Sequence, residues 1–160
     1  MNGKDNVYEF LNQHQISYQY YEHVPVFTVE QAKELYISFE GTHCKNLFLR
    51  NKKGNKYYLV ILEEHEDVKL LELSHMLKES RLSFASPERL YGCMKVEPGA
   101  VGAFGLLNDT DNKVAVVLGR DLRNHKLITF HPNVNDATLA IAYEDFEKML
   151  AILDKTIIQI

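Results

Sequence analysis

The chain has 160 residues, of which 46% are apolar and 25% charged, and its formal net charge is −4. That length and balance fit one domain, residues 1–160, burying roughly 70% of its unfolded surface, and exclude a disordered, collagen-like or low-complexity polypeptide. Net negative charge argues against coating nucleic acid by bulk attraction, though not against local contact with a phosphate. No window approaches the ~20 consecutive apolar residues of a membrane span, and Met1 to Asn6 precede no apolar signal core, so a cytoplasmic protein is expected. Cys44 and Cys93 supply neither a disulfide framework nor a four-ligand zinc site and read as reduced thiols.

In chain order, Asn6 to His14 places Val7, Phe10 and Leu11 on one helical stripe, and Ser17 to His23 alternates like a strand. Thr28-Val29-Glu30-Gln31 matches a capping box, with a short helix through Leu35. Lys45–Arg50 and Lys56–Leu62 flank a polar turn containing Gly54 and predict a hairpin. Val68 to Lys78 carries the stripe Leu70, Leu73, Leu77, and Ser86-Pro87 opens a helix with Ser as N-cap. Pro98-Gly99 breaks the chain. Val114–Leu118, Lys126–Phe130 and Thr138–Ala142 read as strands, and Glu144–Leu153 as a helix burying Phe146, Met149, Leu150 and Leu153. Strands and helices do not alternate strictly. The expected class is therefore α+β, with a central mixed, mainly antiparallel sheet and helices packed around it.

Phosphate-loop, zinc-helix and nucleophile-elbow motifs are absent. Gly99, Gly102 and Gly105 lack the dinucleotide spacing, and Asp109-Thr110-Asp111 fails as a calcium loop at Lys113 and reads as a turn. Glu63 to Asp67 reads as a solvated acidic turn before it reads as a metal site. Cys44, beside His43, reads as a buried, inert thiol, because strand neighbours point to opposite faces. Lys45 has two readings: a surface lysine at the start of a buried strand, or an ammonium aimed into a pocket to meet negative charge. His131-Pro132-Asn133 is either a ligand-facing loop or a turn that uses Pro and Asn for backbone geometry.

Together these residues resemble a known family. Glu22-His23-Val24-Pro25-Val26-Phe27-Thr28, Cys44-Lys45-Asn46-Leu47-Phe48-Leu49, Ser86-Pro87-Glu88-Arg89-Leu90, Val96-Glu97-Pro98-Gly99-Ala100-Val101, His131-Pro132-Asn133 and Ala137-Thr138, in that order, are similar to the YbaK/prolyl-tRNA-synthetase-associated domain family. Within it the chain most resembles the free-standing PrdX-type Ala-tRNA(Pro) deacylases. The likeness runs from about Val7 to Leu153.

The resemblance implies an editing hydrolase, acting in trans on the ester of alanine with the terminal adenosine of tRNA(Pro), without metal or organic cofactor. It implies Lys45 as the catalytic lysine. Asn46, Gly99, Ala100, His131 and Asn133 become the substrate-binding set. The family's Gly-x-x-x-Pro loop maps onto Gly99 to Ala103, with Ala103 in place of the proline, a departure that bears on loop rigidity. Val26, Phe27 and Ala100 are candidate pocket walls. Lys52, Lys53 and Lys56, and Arg120, Arg123 and Lys126, are candidate basic patches for RNA. The expected partners are the tRNA(Pro) acceptor end and, transiently, prolyl-tRNA synthetase, with the protein a monomer and no membrane involved. Two rivals stand beside this reading: Cys-tRNA(Pro) as substrate, and a non-catalytic regulator that binds aminoacyl-tRNA or a nucleotide.

Overall fold

The structure is a computed structural model that describes residues 3–25, 29–36 and 39–160. Among them are eight strands in one sheet and five α-helices, with 3-10 turns between. In chain order they are α1 (Gly3–Gln13), β1 (Tyr18–Glu22), α2 (Val29–Tyr36), β2 (Thr42–Asn51), β3 (Tyr57–Glu63), α3 (Leu70–Met76), β4 (Leu82–Phe84), α4 (Pro87–Met94), β5 (Val114–Leu118), β6 (Leu127–Phe130), β7 (Ala137–Ala142), α5 (Tyr143–Ile152) and β8 (Ile157–Gln159). The sheet order is β1-β7-β6-β2-β3-β5-β8, with β4 also on β2. Four of these ladders are antiparallel and three, β2–β6, β3–β5 and β5–β8, are parallel. The mixed, mainly antiparallel sheet expected from the sequence is thus present. No helix among the described residues is long and apolar enough to cross a membrane.

Local chemistry accounts for most element boundaries. At the β2–β3 turn, Asn51 Oδ1 accepts from the N–H groups of Asn55 (3.1 Å) and Lys56 (3.2 Å), and Gly54 takes the left-handed φ of 71° that the turn requires. Ser86 Oγ accepts from Arg89 N (3.2 Å) at the start of α4, with Pro87 in the first turn. Every residue of β3 is buried, as befits a central strand covered on both faces. One core, with Phe48, Leu59, Ile61 and Val116, packs under Val7 and Leu11 of α1 and Phe146, Met149 and Leu150 of α5. The opposite face, with Leu49, Tyr58, Val60 and Leu62, packs against Leu73 of α3.

Several expectations shift. The helix read over Val68 to Lys78 is confined to Leu70–Met76. Pro98-Gly99 does not simply break the chain: Pro98–Ala100 forms a 3-10 turn, and a second runs from Ala103 to Asn108. The short strands β4 and β8 and the turn at Leu122–Asn124 carry no alternation long enough to be read in sequence. Thr28, Val26 and Phe27 lie outside the described residues.

The feature that positions the site is a change of partner along one edge of β2. That edge pairs with β6 at Thr42 and His43 and with β4 at Leu49 to Asn51. His43 O accepts from Glu64 N, and Asn51 N donates to Lys56 O, both at 3.1 Å. The odd-numbered residues of β2 therefore carry the ladder to β3, and the peptide groups of Cys44 and Asn46 point the other way, into the gap between β6 and β4.

Candidate active site

Lys45 stands where β2 parts from β6. It shares a sheet face with His43, Leu47 and Leu49, because alternate residues of a strand point the same way. Its side chain is 34% exposed, and Nζ donates to Asp67 Oδ1 at 2.6 Å. Asp67 is almost fully exposed, and the ammonium holds its carboxyl below the usual range. An ion pair this wet is weak, so an incoming anion can replace the carboxylate.

Asn46 points to the other face, with Cys44 and Phe48. Its Nδ2 lies 3.5 Å from Cys44 O, and its Oδ1 is buried with no hydrogen-bond partner among the described residues. The Cys44 thiol is 2% exposed, and burial pushes it up to about 12. It is the inert thiol that the strand pattern predicted.

His131 follows β6 directly. The register pairs His43 with Thr129 and ends there; His131 lies two residues beyond Thr129, just past the end of β6. His131 Nδ1 lies 2.8 Å from Ala137 O. A carbonyl only accepts, so Nδ1 carries the proton and Nε2 the lone pair of the neutral ring. Burial, and then His23, lower the His131 pKa. Burial takes His43 lower, to about 4, with His131 adding to it. His23 closes the group: its ring lies 6.0 Å from that of His131, and its Nε2 lies 2.8 Å from Thr138 Oγ1. His43 and His131 are thus neutral, and Lys45 brings the positive charge.

Gly99, Ala100 and Asn133 come together elsewhere, around a hollow of about 330 Å³ between the Pro98–Ala100 turn and the loop after β6. Asn133 is buried in the left-handed region at φ 63° and donates from Nδ2 to Phe104 O (3.2 Å). The Ala100 N–H closes its own turn on Glu97 O (2.9 Å). Gly99, one residue earlier in the turn, is placed where a 3-10 N–H has no acceptor within its own turn. Ala103 is fully buried at the first position of the second 3-10 turn, after an extended Gly102.

A second cleft, of about 310 Å³, opens over the β6–β2 junction. Phe39, Gly41, His43 and Thr129 line it, together with Lys33, Glu64 and His65. In the acidic turn beside it, buried Glu63 and exposed Glu64 and His65 bring ligand-type atoms within 4.8 Å of one another. Glu63 Oε2 is already engaged by His65 N at 2.8 Å.

Comparison with known proteins decides the family. The model of the aminoacyl-tRNA editing domain matches residues 23–149. The chain belongs to the aminoacyl-tRNA editing domain family. It is 38% identical over 150 residues to the prolyl-tRNA editing protein ProX of Acetoanaerobium sticklandii, covering 94% of this chain and 92% of that one. It is 35% identical over 144 residues to the prolyl-tRNA synthetase associated domain-containing protein 1 of Danio rerio, covering 89% and 78%. In fold it is similar to the hypothetical protein APE2540, with TM-score 0.74 at 14% identity over 96% and 97% of the chains. A candidate trans-editing enzyme for prolyl tRNA synthetase superposes with TM-score 0.71 at 16% identity over 99% and 96%. Editing of an aminoacyl-tRNA is deacylation, hydrolysis of the ester between amino acid and terminal ribose. Membership of the editing family makes this chain an aminoacyl-tRNA hydrolase.

Sequence reasoning passed over Thr129, Phe39 and the role of His43. Parity holds the missing signal: His43 and Lys45, two apart on β2, share a face, and Thr129 lies opposite His43. It becomes readable only once β2 and β6 are known to be neighbours.

Proposed function

We propose that the protein hydrolyses Ala-tRNA(Pro) in trans. The observation that supports this reading is the position of Lys45, at the parting of β2 and β6, held by an exposed carboxylate that an anion can displace. Lys45 takes the phosphate or ribose of the terminal nucleotide and fixes the ester. Asn46 lies across the strand from it, and a substrate entering the open edge reaches both side chains. Gly99, Ala100 and Asn133 border the separate hollow between the Pro98–Ala100 turn and the loop that His131 opens, where the Gly99 N–H is offered to another part of the substrate. Water attacks the ester carbonyl, and the bond from that carbon to the ribose oxygen breaks. The ribose leaves as its hydroxyl and the amino acid as its carboxylate. An ester is already activated, so orientation carries the rate and a ribose hydroxyl can place the water.

A synthetase site shaped for proline discriminates against a smaller side chain by only ~1–3 kcal/mol per methylene, which is why a second, hydrolytic site is needed. For the grip on RNA, Lys52, Lys53 and Lys56 are exposed beside Lys78 around a hollow of about 610 Å³ at the β2–β3 turn. They lie roughly 20 Å from Lys45 along β2, at ~3.3 Å per residue, a span that suits an acceptor stem. Arg120, Arg123 and Lys126 are exposed as well. With few phosphate contacts, binding has a shallow salt dependence.

The test is side-by-side deacylation of Ala-, Cys- and Pro-tRNA(Pro). Fast loss of alanine alone is expected. Preferential loss of cysteine would keep the chemistry and replace the substrate. Binding without turnover on any of the three would replace the enzyme with a regulator.

A further inference from the structure

An acidic turn borders the site proposed to take an anionic RNA end. It carries Glu63, Glu64, Glu66 and Asp67, and the last of these bonds Lys45. Such a contact on an exposed surface is usually incidental. Here the backbone builds it. Glu66, the residue before Asp67, is clamped: its N–H donates to Glu63 O at 2.9 Å, and its Oε2 accepts from Arg120 N at 2.9 Å. Gly119 makes room for that carboxylate, because a Cβ there would overlap Glu66 Oε1. Val68, the residue after Asp67, packs against the core of Leu49, Val60 and Leu62. Tied on both sides and short in its side chain, Asp67 holds its place at small entropic cost. Among the described residues no other carboxylate pairs with Lys45.

We infer that Asp67 is an internal competitor for Lys45: it occupies the ammonium in the empty enzyme, gives way to the anionic group of the substrate, and returns to help release the deacylated RNA. The inference rests on the editing function proposed above and adds a regulation of its site. The carboxylate and an RNA phosphate seek the same donor. A phosphate seated on Lys45 with Asp67 still in place would stand beside a like charge, and the two repel. Asp67 is almost fully exposed, so on leaving Lys45 it passes into water and no buried charge is stranded. The cost of displacing it is offset by contacts made elsewhere along the RNA. A free phosphate or nucleotide lacks those contacts and is held more weakly. Release needs the competitor as much as entry does. Hydrolysis takes away the amino acid and leaves the RNA phosphates unchanged, so the product would otherwise keep the grip that Lys45 gave the substrate.

The test measures affinity and chemistry separately in wild type, Asp67→Asn, Lys45→Ala and the double variant. Asparagine keeps the shape of the side chain and removes its charge. Asp67→Asn is expected to bind uncharged tRNA(Pro), the product, about 2- to 5-fold more tightly than wild type. KM for Ala-tRNA(Pro) is expected to fall by a similar factor, with the single-turnover rate at saturating enzyme within about twofold. In the Lys45→Ala background the same substitution is expected to change affinity by less than about 1.5-fold, because the carboxylate then has nothing to hold. An unchanged affinity in Asp67→Asn, or a gain of equal size without Lys45, would overturn the inference, the latter by showing that the turn acts through its general charge. A single-turnover rate lowered about tenfold or more would overturn it too, making Asp67 a positioning partner of Lys45. A wild type that deacylates none of Ala-, Cys- and Pro-tRNA(Pro) would overturn the editing function instead. The competitor is then judged with adenosine 5′-monophosphate, expected to bind Asp67→Asn more tightly than wild type and only when Lys45 is present; equal affinities would overturn the inference.

Discussion

Lys45 and His43 are two residues apart on one strand and have opposite electrostatic fates. Lys45 stays in reach of water and of Asp67. His43 loses its charge because it is shut away beside another imidazole. That difference predicts a pH dependence of stability. An unfolded histidine titrates near 6.5 and folded His43 near 4. Between those values the unfolded chain binds a proton that the folded chain does not, so stability falls as pH drops through the window. The loss is at most roughly 3 kcal/mol, at ~1.4 kcal/mol per unit. Urea midpoints at pH 7 and pH 4.5 measure it, and His43→Gln is expected to flatten the slope; an equal slope in the variant would place its source elsewhere. At this scale strand parity was enough to read Cys44 as a buried thiol, while Lys45 was singled out by a resemblance to the family's motif. The sequence did not expose Thr129, whose buried Oγ1 has no hydrogen-bond partner among the described residues, because an unsatisfied hydroxyl is a property of surroundings and not of residue type.

At the scale of elements, the parting of β2 from β6 makes the site. Strands β2, β3, β5 and β7 were legible from their β-branched and aromatic runs, and α4 from its Ser-Pro cap. The exchange of β6 for β4 along one edge of β2 was not. It depends on which distant strands become neighbours, and short strands such as β4 leave little trace of periodicity. The two 3-10 turns around Gly99 to Asn108 were hidden for a similar reason, being read only as a glycine-rich loop. Their geometry bears on the one departure from the family's motif. Ala103 opens the second turn after an extended residue, a backbone that accepts proline. Ala103→Pro is therefore expected to stabilise by about 0.4–1 kcal/mol, by restricting the unfolded chain. Thermal unfolding checks this, and a lowered melting temperature would mean that the buried site has no room for the ring.

Across the whole molecule, the C-terminal strand is tied in by an ion pair far from the site. Lys155 Nζ donates to Asp109 Oδ2 at 2.8 Å and to Asp109 O at 3.1 Å, with both side chains only 2% exposed. Asp109 also accepts from Lys113 N and Val114 N, each at 2.9 Å, which is how the would-be calcium loop becomes the turn leading into β5. Removing one partner leaves the other charge buried. Lys155→Met is expected to destabilise by about 3 kcal/mol in denaturant unfolding, with deacylation at 25 °C retained by the fraction still folded. A loss under about 1 kcal/mol would show that water reaches the carboxylate. The overall class was legible from composition and element order, whereas this pair joins residues 46 positions apart that nothing local connects.

The account turns on Lys45. The direct measurement is single-turnover deacylation of Ala-tRNA(Pro) by wild type, Lys45→Ala and Lys45→Arg, with circular dichroism of each. The prediction is a loss of at least about 100-fold in Lys45→Ala with an unchanged spectrum, and partial recovery in Lys45→Arg, which restores the charge but not its shape. Wild-type rates in a folded Lys45→Ala would contradict it.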